Sequence, residues 1–520
     1  MKTTTTLLAS LLIILFSSII TFGQLSSQKI DSLMETSLKQ FKVAGASIAI
    51  VKDGNVIYKK GFGLASVATK KPVNEFTNFQ IASNTKAFTT AALSILEDEG
   101  KLKWTDKVKD HIPEFKMYND YVTENFNIQD LLTHRSGLGL GAGDLMFFPD
   151  GSDFTVKDVL KGFQYFKPVS AFRTQFDYDN LLYIVAGEVI ARVSGMSYET
   201  FVQKRIIESL QMNHTFVGSL QKDKSNLAAP HSSESGSIKT IDNYDIGMGC
   251  AADGIYSNAE DMSKWMILRL NKGKYGYDLK DSLFSLKNCR EMWKIHTVEE
   301  ASANPRYNSH FAGYGLGWFL TDKKGTLCVS HTGGLPGMLS MVTMYPDLNL
   351  GIVILTNTEN GGAGLFTAVT NTISDSYLSL DDFGWINKIA ERMQKKKNTG
   401  DDVTKKVWEK VEASKTTKIN NENVTGTYED KWFGKVEVFE KDNKLWFKSY
   451  RSPKLNGPMS FYNANTFAIK FEYQAMNCDA FAMFSLDETG KAQSIKMKGI
   501  SPNIDFSFDF QDLDLIRIDK

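Results

Sequence analysis

Ala46-Ser47-Ile48-Ala49-Ile50-Val51 is an apolar run that predicts a buried β-strand. Asp53-Gly54 follows and leads into Val56-Ile57-Tyr58, which indicates a hairpin because such a turn needs residues that tolerate a positive φ. Helical patterns fill the middle of the chain, and strand patterns return over 314–320, 326–330, 341–345 and 350–355. A hairpin at one end and strands at the other predict a single antiparallel sheet flanked by helices, which is an α+β fold.

The chain divides into segments of different character. Residues 25–390 are predicted to form the α+β domain, and residues 391–421 are rich in Lys and predict a charged linker or a solvated helix. From 422 to 520, apolar and polar residues alternate between closely spaced turn signals, which predicts a small all-β barrel domain.

Residues 1–24 carry a Lys, a Thr run and then an apolar stretch, a pattern typical of a signal peptide. We therefore expect a periplasmic or secreted protein. An uncleaved anchor is the alternative, and contact with a membrane is expected in that case alone. The four cysteines are too few for a disulfide framework, so buried free thiols are favoured over a single bridge.

The 60 basic and 60 acidic side chains cancel, so the composition gives no reason to expect nucleic acid as a partner. We find no pattern of metal ligands and no fingerprint of a nucleotide or other cofactor, and we predict neither a metal nor a cofactor. The sequence leaves the oligomeric state open.

Ser83-Asn84-Thr85-Lys86 stands directly before a helical pattern that ends at Gly100. A serine at a helix start lies near free backbone N–H groups, which favours an oxyanion. Lys86 is three residues on and projects from the same face. In a desolvated pocket the pKa of its amine would fall, and the neutral amine could take the Ser83 proton. The alternative is that Ser83 only caps the helix.

Tyr178-Asp179-Asn180 precedes a helical pattern that stops at Gly195. A phenol beside an ammonium can be held partly ionised, so Tyr178 is a candidate base for Ser83 and acid for the leaving group. The Asn180 amide can bind a substrate carbonyl and hold the Lys86 amine in place. A surface loop with a buried Tyr is the alternative for this motif.

His331-Thr332-Gly333-Gly334 ends a strand pattern. The two glycines carry no side chains, which would let a substrate lie along the strand, and the N–H groups of Gly334 and Ser83 are a candidate oxyanion hole. His331 could donate to a substrate carboxylate or carbonyl, or relay a proton to Tyr178. A tight turn with an incidental His is the alternative.

The three motifs resemble those of the class C β-lactamase-related serine hydrolases, which include penicillin-binding DD-peptidases, D-aminopeptidases and carboxylesterases. The stretches Leu131–Leu138, Asp253–Asp261 and Gly313–Trp318 match this family as well. The resemblance covers about residues 30–376, and from Val424-Thr425-Gly426-Thr427-Tyr428 onward the chain is similar to a lipocalin-like domain often appended to the family.

This resemblance implies a serine β-lactamase/transpeptidase-like fold with Ser83 as the acylated nucleophile. It implies that Lys86 and Tyr178 share general-base work and that Asn180 positions the substrate, while His331 and Gly333 occupy the third motif.

Two departures from the family pattern bear on the activity. His331 stands where the β-lactamases of this class have Lys, whose ammonium holds the carboxylate of the antibiotic. A His is mostly neutral at pH 7, which argues against efficient β-lactam hydrolysis. In this feature the chain resembles the peptidase, amidase and esterase branches of the family. Asp253 stands where the family usually has Gly, and the sequence assigns no effect to it.

These features predict an exported serine hydrolase that acts through an acyl-enzyme on ester or amide bonds, including peptides and derivatives of D-amino acids. The expected partner is a small-molecule, peptide or ester substrate. Two alternatives stay open, namely a catalytically weak member that binds β-lactams or peptidoglycan or serves as a scaffold, and a true β-lactamase. The presence of Ser83, Lys86, Tyr178 and Asn180 together favours the enzyme.

Overall fold

The protein is described by a computed structural model that covers residues 24–220, 225–234, 236–415 and 420–519. Within these residues the main sheet has nine strands, and all neighbouring strands are antiparallel. In sheet order they are Thr297–Glu299, Ala312–Tyr314, Phe319–Lys323, Thr326–Leu335, Met338–Tyr345, Leu350–Thr356, Gly45–Lys52, Asn55–Ser66 and Lys71–Pro72. The predicted antiparallel sheet built from both ends of the domain is thus confirmed.

Strand Gly45–Lys52 shows why this sheet is buried on both faces. Ile48 and Ile50 belong to a core under the helices Ser27–Phe41 and Glu359–Tyr377, while Ala49 and Val51 belong to the core on the opposite side. Successive side chains of a strand point to opposite faces, so a strand between two helical layers is apolar throughout.

The remaining helices are mostly short and surround the second face of the sheet. We refer to the main sheet and its helices as the sheet domain. Its α-helices are Ser27–Phe41, Thr85–Asp98, Val108–His111, Asp120–Asn125, Ile128–Leu132, Val156–Gly162, Leu181–Ser194, Tyr198–Val202, Cys250–Asp253, Ala259–Leu270, Leu286–Met292 and Glu359–Tyr377. Small two- and three-stranded sheets are formed by Phe79–Gln80 with Ile255–Ser257 and Phe216–Val217, by His231–Ser232 with Lys239–Thr240, and by Lys274–Tyr275 with Asp281–Ser282.

The C-terminal part is a closed barrel of eight strands, which confirms the predicted all-β domain. The strands are Gly426–Asp430, Gly434–Lys441, Lys444–Ser449, Asn456–Asn463, Thr466–Ile469, Ala480–Leu486, Ala492–Gly499 and Leu515–Arg517, and the first pairs with the last. Their inward positions carry side chains such as Val436, Val438, Phe447 and Phe484, which fill the interior. We refer to this unit as the barrel.

One long helix, Trp385–Ala413, occupies most of the charged segment between the two units. Its first half places Trp385 and Ile389 in the core beside the main sheet. Its second half places Val407 and Val411 against the barrel. The amphipathic spacing of these apolar residues among many lysines lets a solvated helix contact both units.

The strand over 314–320 and the N-terminal segment differ from the sequence expectations or lie outside the described residues. The predicted strand over 314–320 is wrong in part, because Gly317 adopts a φ of +79° and a turn separates strands Ala312–Tyr314 and Phe319–Lys323. The predicted signal peptide lies outside the described residues, apart from Gln24. Among the helices that the structure describes, none alone is long and apolar enough to cross a membrane, although the bent pair Leu181–Ser194 and Tyr198–Ile207 passes by length and composition.

Candidate active site

Ser83 lies in a single 3-10 turn, Ala82–Asn84, directly before the helix Thr85–Asp98. Ser340, on strand Met338–Tyr345 of the main sheet, holds this turn in place. Its hydroxyl donates to the Ile81 carbonyl at 2.7 Å and accepts from Nδ2 of Asn84 at 2.8 Å. Ala82 has a φ of +47°, which L-residues rarely adopt, so these contacts hold a strained backbone next to Ser83.

Lys86 is fully buried and is the second residue of this helix, one turn after Ser83. Its Nζ donates to Oγ of Ser83 at 2.9 Å, to Oδ1 of Asn180 at 2.7 Å and to the carbonyl of Ala252 at 3.3 Å. Burial lowers the pKa of Lys86 below its ordinary value, although the negative charges nearby, Asp253 foremost, act in the opposite direction. Three acceptors around one Nζ match the three N–H groups of an ammonium.

Asp253 is the carboxylate closest to the hydroxyl of Ser83 in the candidate site. Oγ of Ser83 donates to Oδ1 of Asp253 at 2.8 Å, and the same carboxylate oxygen lies 3.7 Å from Nζ of Lys86. Asp253 is 4% exposed and ends the short helix Cys250–Asp253. A buried carboxylate that accepts a hydrogen bond from a candidate nucleophile is a candidate base, and the departure from the family's Gly places this carboxylate next to Oγ of Ser83.

Tyr178 lines the same site from the loop before the helix Leu181–Ser194, and its ring lies 4.9 Å from Nζ of Lys86. Its hydroxyl is buried and lies close enough to Ser83 for the Ser83 hydroxyl to lower the pKa of Tyr178, although no hydrogen bond of good geometry joins the two among the described residues. The prediction of a partly ionised phenol is wrong: burial raises the pKa of Tyr178 well above its ordinary value, and the charge of Asp253 raises it further. Tyr178 is therefore a neutral proton donor in this arrangement.

His134 supports Tyr178 from behind. The two rings stack with centroids 4.1 Å apart, and Nδ1 of His134 accepts from the backbone N–H of Asp179 at 3.0 Å. Burial lowers the pKa of His134 well below its ordinary value, so the ring is neutral. These contacts give His134 a scaffolding role beside Tyr178.

Asn180 connects the site to a second buried carboxylate. Its Oδ1 accepts from Lys86, and its Nδ2 donates to Oδ2 of Asp144 at 2.8 Å. Both amide atoms are thus used, which places Asn180 as predicted beside the amine of Lys86. Burial raises the pKa of Asp144 well above its ordinary value.

His331 is held by the protein on both ring nitrogens. Nδ1 contacts the carbonyl of Thr332 at 2.6 Å, and Nε2 contacts the hydroxyl of Tyr314 at 2.9 Å. A carbonyl can only accept, so Nδ1 carries the proton and Nε2 accepts from Tyr314. Burial lowers the pKa of His331 to about 3. The prediction that His331 donates to a substrate or relays a proton to Tyr178 is therefore wrong, because neither nitrogen has a free hydrogen.

The two glycines of the third motif serve different purposes. A Cβ on Gly333 would lie 2.2 Å from the Ile81 carbonyl oxygen and 3.0 Å from the Ser83 nitrogen, so only a glycine lets this strand approach the turn that carries Ser83. Gly333 was expected to contact substrate, but it does not line the cavity at Ser83 and packs against the Ser83 turn instead. Gly334 does line it.

A cavity of about 390 Å³ opens over Ser83. The predicted residues Tyr178, Asn180, His331 and Gly334 line it, and Lys86 lies buried behind Ser83. Aromatic side chains form much of the wall, and none of the described lining residues is Lys or Arg. Four lining residues are acidic, namely Asp253, Glu299, Glu359 and Asp505. The cavity therefore brings the Ser83 hydroxyl, which contacts an amine and a carboxylate, to a largely aromatic wall that carries acidic side chains.

Comparison with known proteins identifies the sheet domain. Residues 30–371 match the family model described as Beta-lactamase. The chain belongs to the beta-lactamase family. Residues 412–517, which include the barrel, match a model described as Domain of unknown function (DUF3471).

Curated relatives in this family include protein flp of Staphylococcus aureus (strain MW2), which is 30% identical over 337 residues, or 64% of this chain and 63% of that protein. Unguisins hydrolase ungD of Aspergillus violaceofuscus (strain CBS 115571) is 26% identical over 384 residues, or 68% of this chain and 66% of that protein. The match thus spans less than two thirds of the length of protein flp.

Solved structures extend the likeness over both units. The octameric penicillin-binding protein homologue from Pyrococcus abyssi covers 95% of this chain and 100% of its own, with a TM-score of 0.59 at 21% identity. The structure of SurE covers 94% of this chain and 98% of its own, with a TM-score of 0.54 at 16% identity. At these identities the likeness shows the fold alone.

Sequence reasoning missed several residues of this beta-lactamase-family site. Asp253 was visible as a departure from the family's Gly, but the sequence did not show that it contacts Ser83. Asp144 gave no signal, since its motif is not among the three. The cavity residues Met476, Asp505, Phe506 and Ser507 come from the barrel region, more than 290 residues after Asn180, and no local pattern points to them.

Proposed function

We propose that this protein is an exported serine hydrolase that cleaves ester or amide bonds through an acyl-enzyme on Ser83. The observation that carries the proposal is the position of Oγ of Ser83, at 2.8 Å from a carboxylate oxygen and 2.9 Å from an amine, on the floor of a cavity. Membership of the beta-lactamase family supports it, as does a relative that is named a hydrolase.

In the proposed acylation step, Oγ of Ser83 attacks the carbonyl carbon of the substrate and its proton passes to Oδ1 of Asp253. A bond forms between Oγ and the acyl carbon, and the carbonyl oxygen becomes an oxyanion. The N–H groups of Ser83 and Gly334 are proposed to bind this oxyanion. The ammonium of Lys86 stabilises the charge that develops on Oγ.

Collapse of the intermediate breaks the bond to the leaving group, which leaves as an alcohol or amine after it takes a proton. The neutral hydroxyl of Tyr178 lies on the cavity wall and is the proposed donor, and the proton on Asp253 returns to the resulting phenolate. Water then repeats the sequence on the acyl-enzyme, which releases a carboxylic acid and restores Ser83.

The lining of the cavity argues against a specialised β-lactamase. A fixed ammonium on the third motif would hold the carboxylate of a β-lactam, but His331 is neutral and both its nitrogens are occupied. The described lining residues also include no Lys or Arg that would bind such an anion. Neutral or cationic esters and amides are the proposed substrates.

The test compares the wild type with Ser83→Ala and with the matched control Ser94→Ala. Ser94 is a buried serine on the same helix, and its hydroxyl donates to the Thr90 carbonyl. Turnover of p-nitrophenyl acetate and covalent labelling by a fluorophosphonate should be lost in Ser83→Ala and kept in Ser94→Ala. Labelling that persists in Ser83→Ala, with the modified peptide elsewhere, would reject the assignment.

A further inference from the structure

A short segment after the last long barrel strand, residues 505–509, reaches the mouth of the cavity. We refer to it as the 505–509 segment. Asp505, Phe506 and Ser507 line the cavity together with Ser83 and Tyr178. The barrel side of the protein therefore forms part of the wall around the candidate nucleophile.

Ser507 is connected to Lys86 by three consecutive hydrogen bonds between buried groups. Its hydroxyl donates to Oδ2 of Asp144 at 2.8 Å, and Nδ2 of Asn180 donates to the same oxygen at 2.8 Å. Oδ1 of Asn180 then accepts from Nζ of Lys86 at 2.7 Å. Because the Asp144 carboxylate is fixed from both units, the orientation of the Asn180 amide depends on the barrel side as well as on its own helix.

Phe506 closes one side of the cavity. Its ring meets the ring of Tyr178 edge-on, with centroids 5.9 Å apart and planes at 76°. Its side chain keeps 38% of its surface exposed, which faces solvent and the cavity mouth. A large ring in this position limits the size of a group bound beside Ser83.

Backbone groups of the sheet domain bind the 505–509 segment directly. Both carboxylate oxygens of Asp509, which is fully buried, accept from backbone N–H groups of Gly143 and Leu145 at 2.8 and 2.9 Å. A Cβ on Gly141, which has a φ of +72°, would lie 2.7 Å from the Phe506 carbonyl oxygen. The loop 141–145 thus has a glycine where the segment packs against it.

Polar contacts farther from the cavity hold the barrel in the same orientation. Arg451 pairs with Asp153 at 2.6 Å and with Asp158 at 3.1 Å, and Lys454 pairs with Asp150 at 2.6 Å. The barrel is therefore fixed against the sheet domain at several points, and the 505–509 segment is one part of a continuous interface.

We propose that the barrel, which matches a domain of unknown function, completes the catalytic cleft. In this role Ser507 is a positioning residue that acts through Asp144 and Asn180 on Lys86, and Phe506 determines which size of substrate is accepted. This inference rests on the proposed hydrolase function, since both roles concern the same cleft.

The kinetic test uses the full chain with Phe506→Ala, Ser507→Ala and Ser507→Thr, and with Ser485→Ala and Leu486→Ala as controls. Both control residues are exposed on a barrel strand and do not line the cavity. Ser507→Ala should lower kcat about tenfold for p-nitrophenyl acetate and for longer p-nitrophenyl esters alike, with little change in KM, and Ser507→Thr should restore it. Phe506→Ala should raise kcat/KM for the long ester relative to the acetate by about fivefold or more.

A second readout does not depend on catalysis. In a Ser83→Cys chain, the rate of alkylation of the new thiol by a bulky maleimide is compared with the rate for iodoacetamide, with and without Phe506→Ala. The ratio should rise about fivefold when the ring of Phe506 is removed, because the entrance widens. The wild-type chain gives the background, since its four cysteines are buried.

The two readouts separate the two proposals. If the wild type neither turns over esters nor is labelled on Ser83, the proposed hydrolase function fails, and the alkylation ratio still decides whether the 505–509 segment walls the cavity. If the wild type is active while Phe506→Ala and Ser507→Ala match the controls in kcat, in ester preference and in the alkylation ratio, the role of the barrel is refuted.

Discussion

Replacing Asp253 with Asn tests which group takes the proton of Ser83. The Asn amide keeps the size of the side chain and an oxygen that can accept from Oγ of Ser83, which now lies 2.8 Å from Asp253, but it cannot take up the proton. General-base catalysis contributes about 10²- to 10⁴-fold. We therefore expect kcat to fall by that factor, which corresponds to about 2.7 to 5.4 kcal/mol in the activation free energy.

The same substitution has a predictable effect on Lys86. Asp253 contributes the largest of the charges that oppose the burial of Lys86, so its removal lowers the pKa of Lys86 further. A neutral amine then becomes accessible at lower pH. The residual activity of Asp253→Asn should consequently rise with pH as Lys86 loses its proton.

The assay is kcat and KM for p-nitrophenyl acetate over a series of pH values, with fluorophosphonate labelling to count active sites. Asp245→Asn, a change of the same kind at a residue that does not line the cavity, serves as the control. If Asp253→Asn keeps kcat within about threefold of the wild type, the carboxylate is not the base. The neutral amine of Lys86, which the sequence alone suggests, would then take that role.

Two further predictions concern the lining of the cavity. His331→Gln should leave the pH–rate profile from about pH 5 to 8 unchanged, because the pKa of His331 is lowered to about 3 and the ring does not titrate there; a profile that shifts in this range would contradict the assignment. The folded pKa of about 3 lies below the unfolded value of about 6.5, so the unfolded chain binds the proton first as pH falls. His331 therefore lowers the free energy of unfolding as the pH falls from about 6.5 to 3. In His331→Gln this pH dependence, measured by urea unfolding, should be shallower by up to about 1.4 kcal/mol per pH unit. Burial raises the pKa of Asp505, so its charge is tested at alkaline pH, where the carboxylate is ionised. There Asp505→Asn should lower KM for an ester with a carboxylate tail relative to one with a trimethylammonium tail by about fivefold, or about 1 kcal/mol, because a negative charge leaves the wall; an equal change for both esters would show that this charge does not reach the substrate.

The parts of the site that sequence reasoning predicted are those held by local structure. Ser83 and Lys86 are three residues apart at the start of one helix, so their contact follows from helical geometry. Asn180 lies directly before another helix, and the amide contact with Lys86 follows once the two helices pack together. The antiparallel sheet could also be predicted from the sequence, because apolar strands at both ends of a domain have few ways to pair.

The roles of Tyr178 and His331 could not be predicted in the same way. Whether a phenol ionises depends on its burial and on the sum of nearby charges, and here Asp253 adds a negative charge from a distant part of the sequence. His331 is neutral because burial lowers its pKa, and the Tyr314 hydroxyl and the Thr332 carbonyl occupy its two nitrogens. The sequence shows the residue types of these neighbours but not that they face the ring.

Docking of the barrel contributes to the burial of Lys86 beside the carboxyl groups of Asp253, Asp144 and Asp179. The pKa of Lys86 is lowered chiefly by burial, and part of the burial around Asn180 and Asp144 comes from Ser507 on the barrel side. Water that reached Asp144 would compete for its hydrogen bonds with Asn180 and Ser507 and weaken the cluster. The interface thus does more than join two domains, because the exclusion of water from it strengthens the field in which Ser83 is proposed to react. The backbone N–H groups of Gly143 and Leu145 donate to Asp509, and the Ser507 hydroxyl donates to Asp144. A barrel that was only tethered to the sheet domain by the chain would form none of these hydrogen bonds.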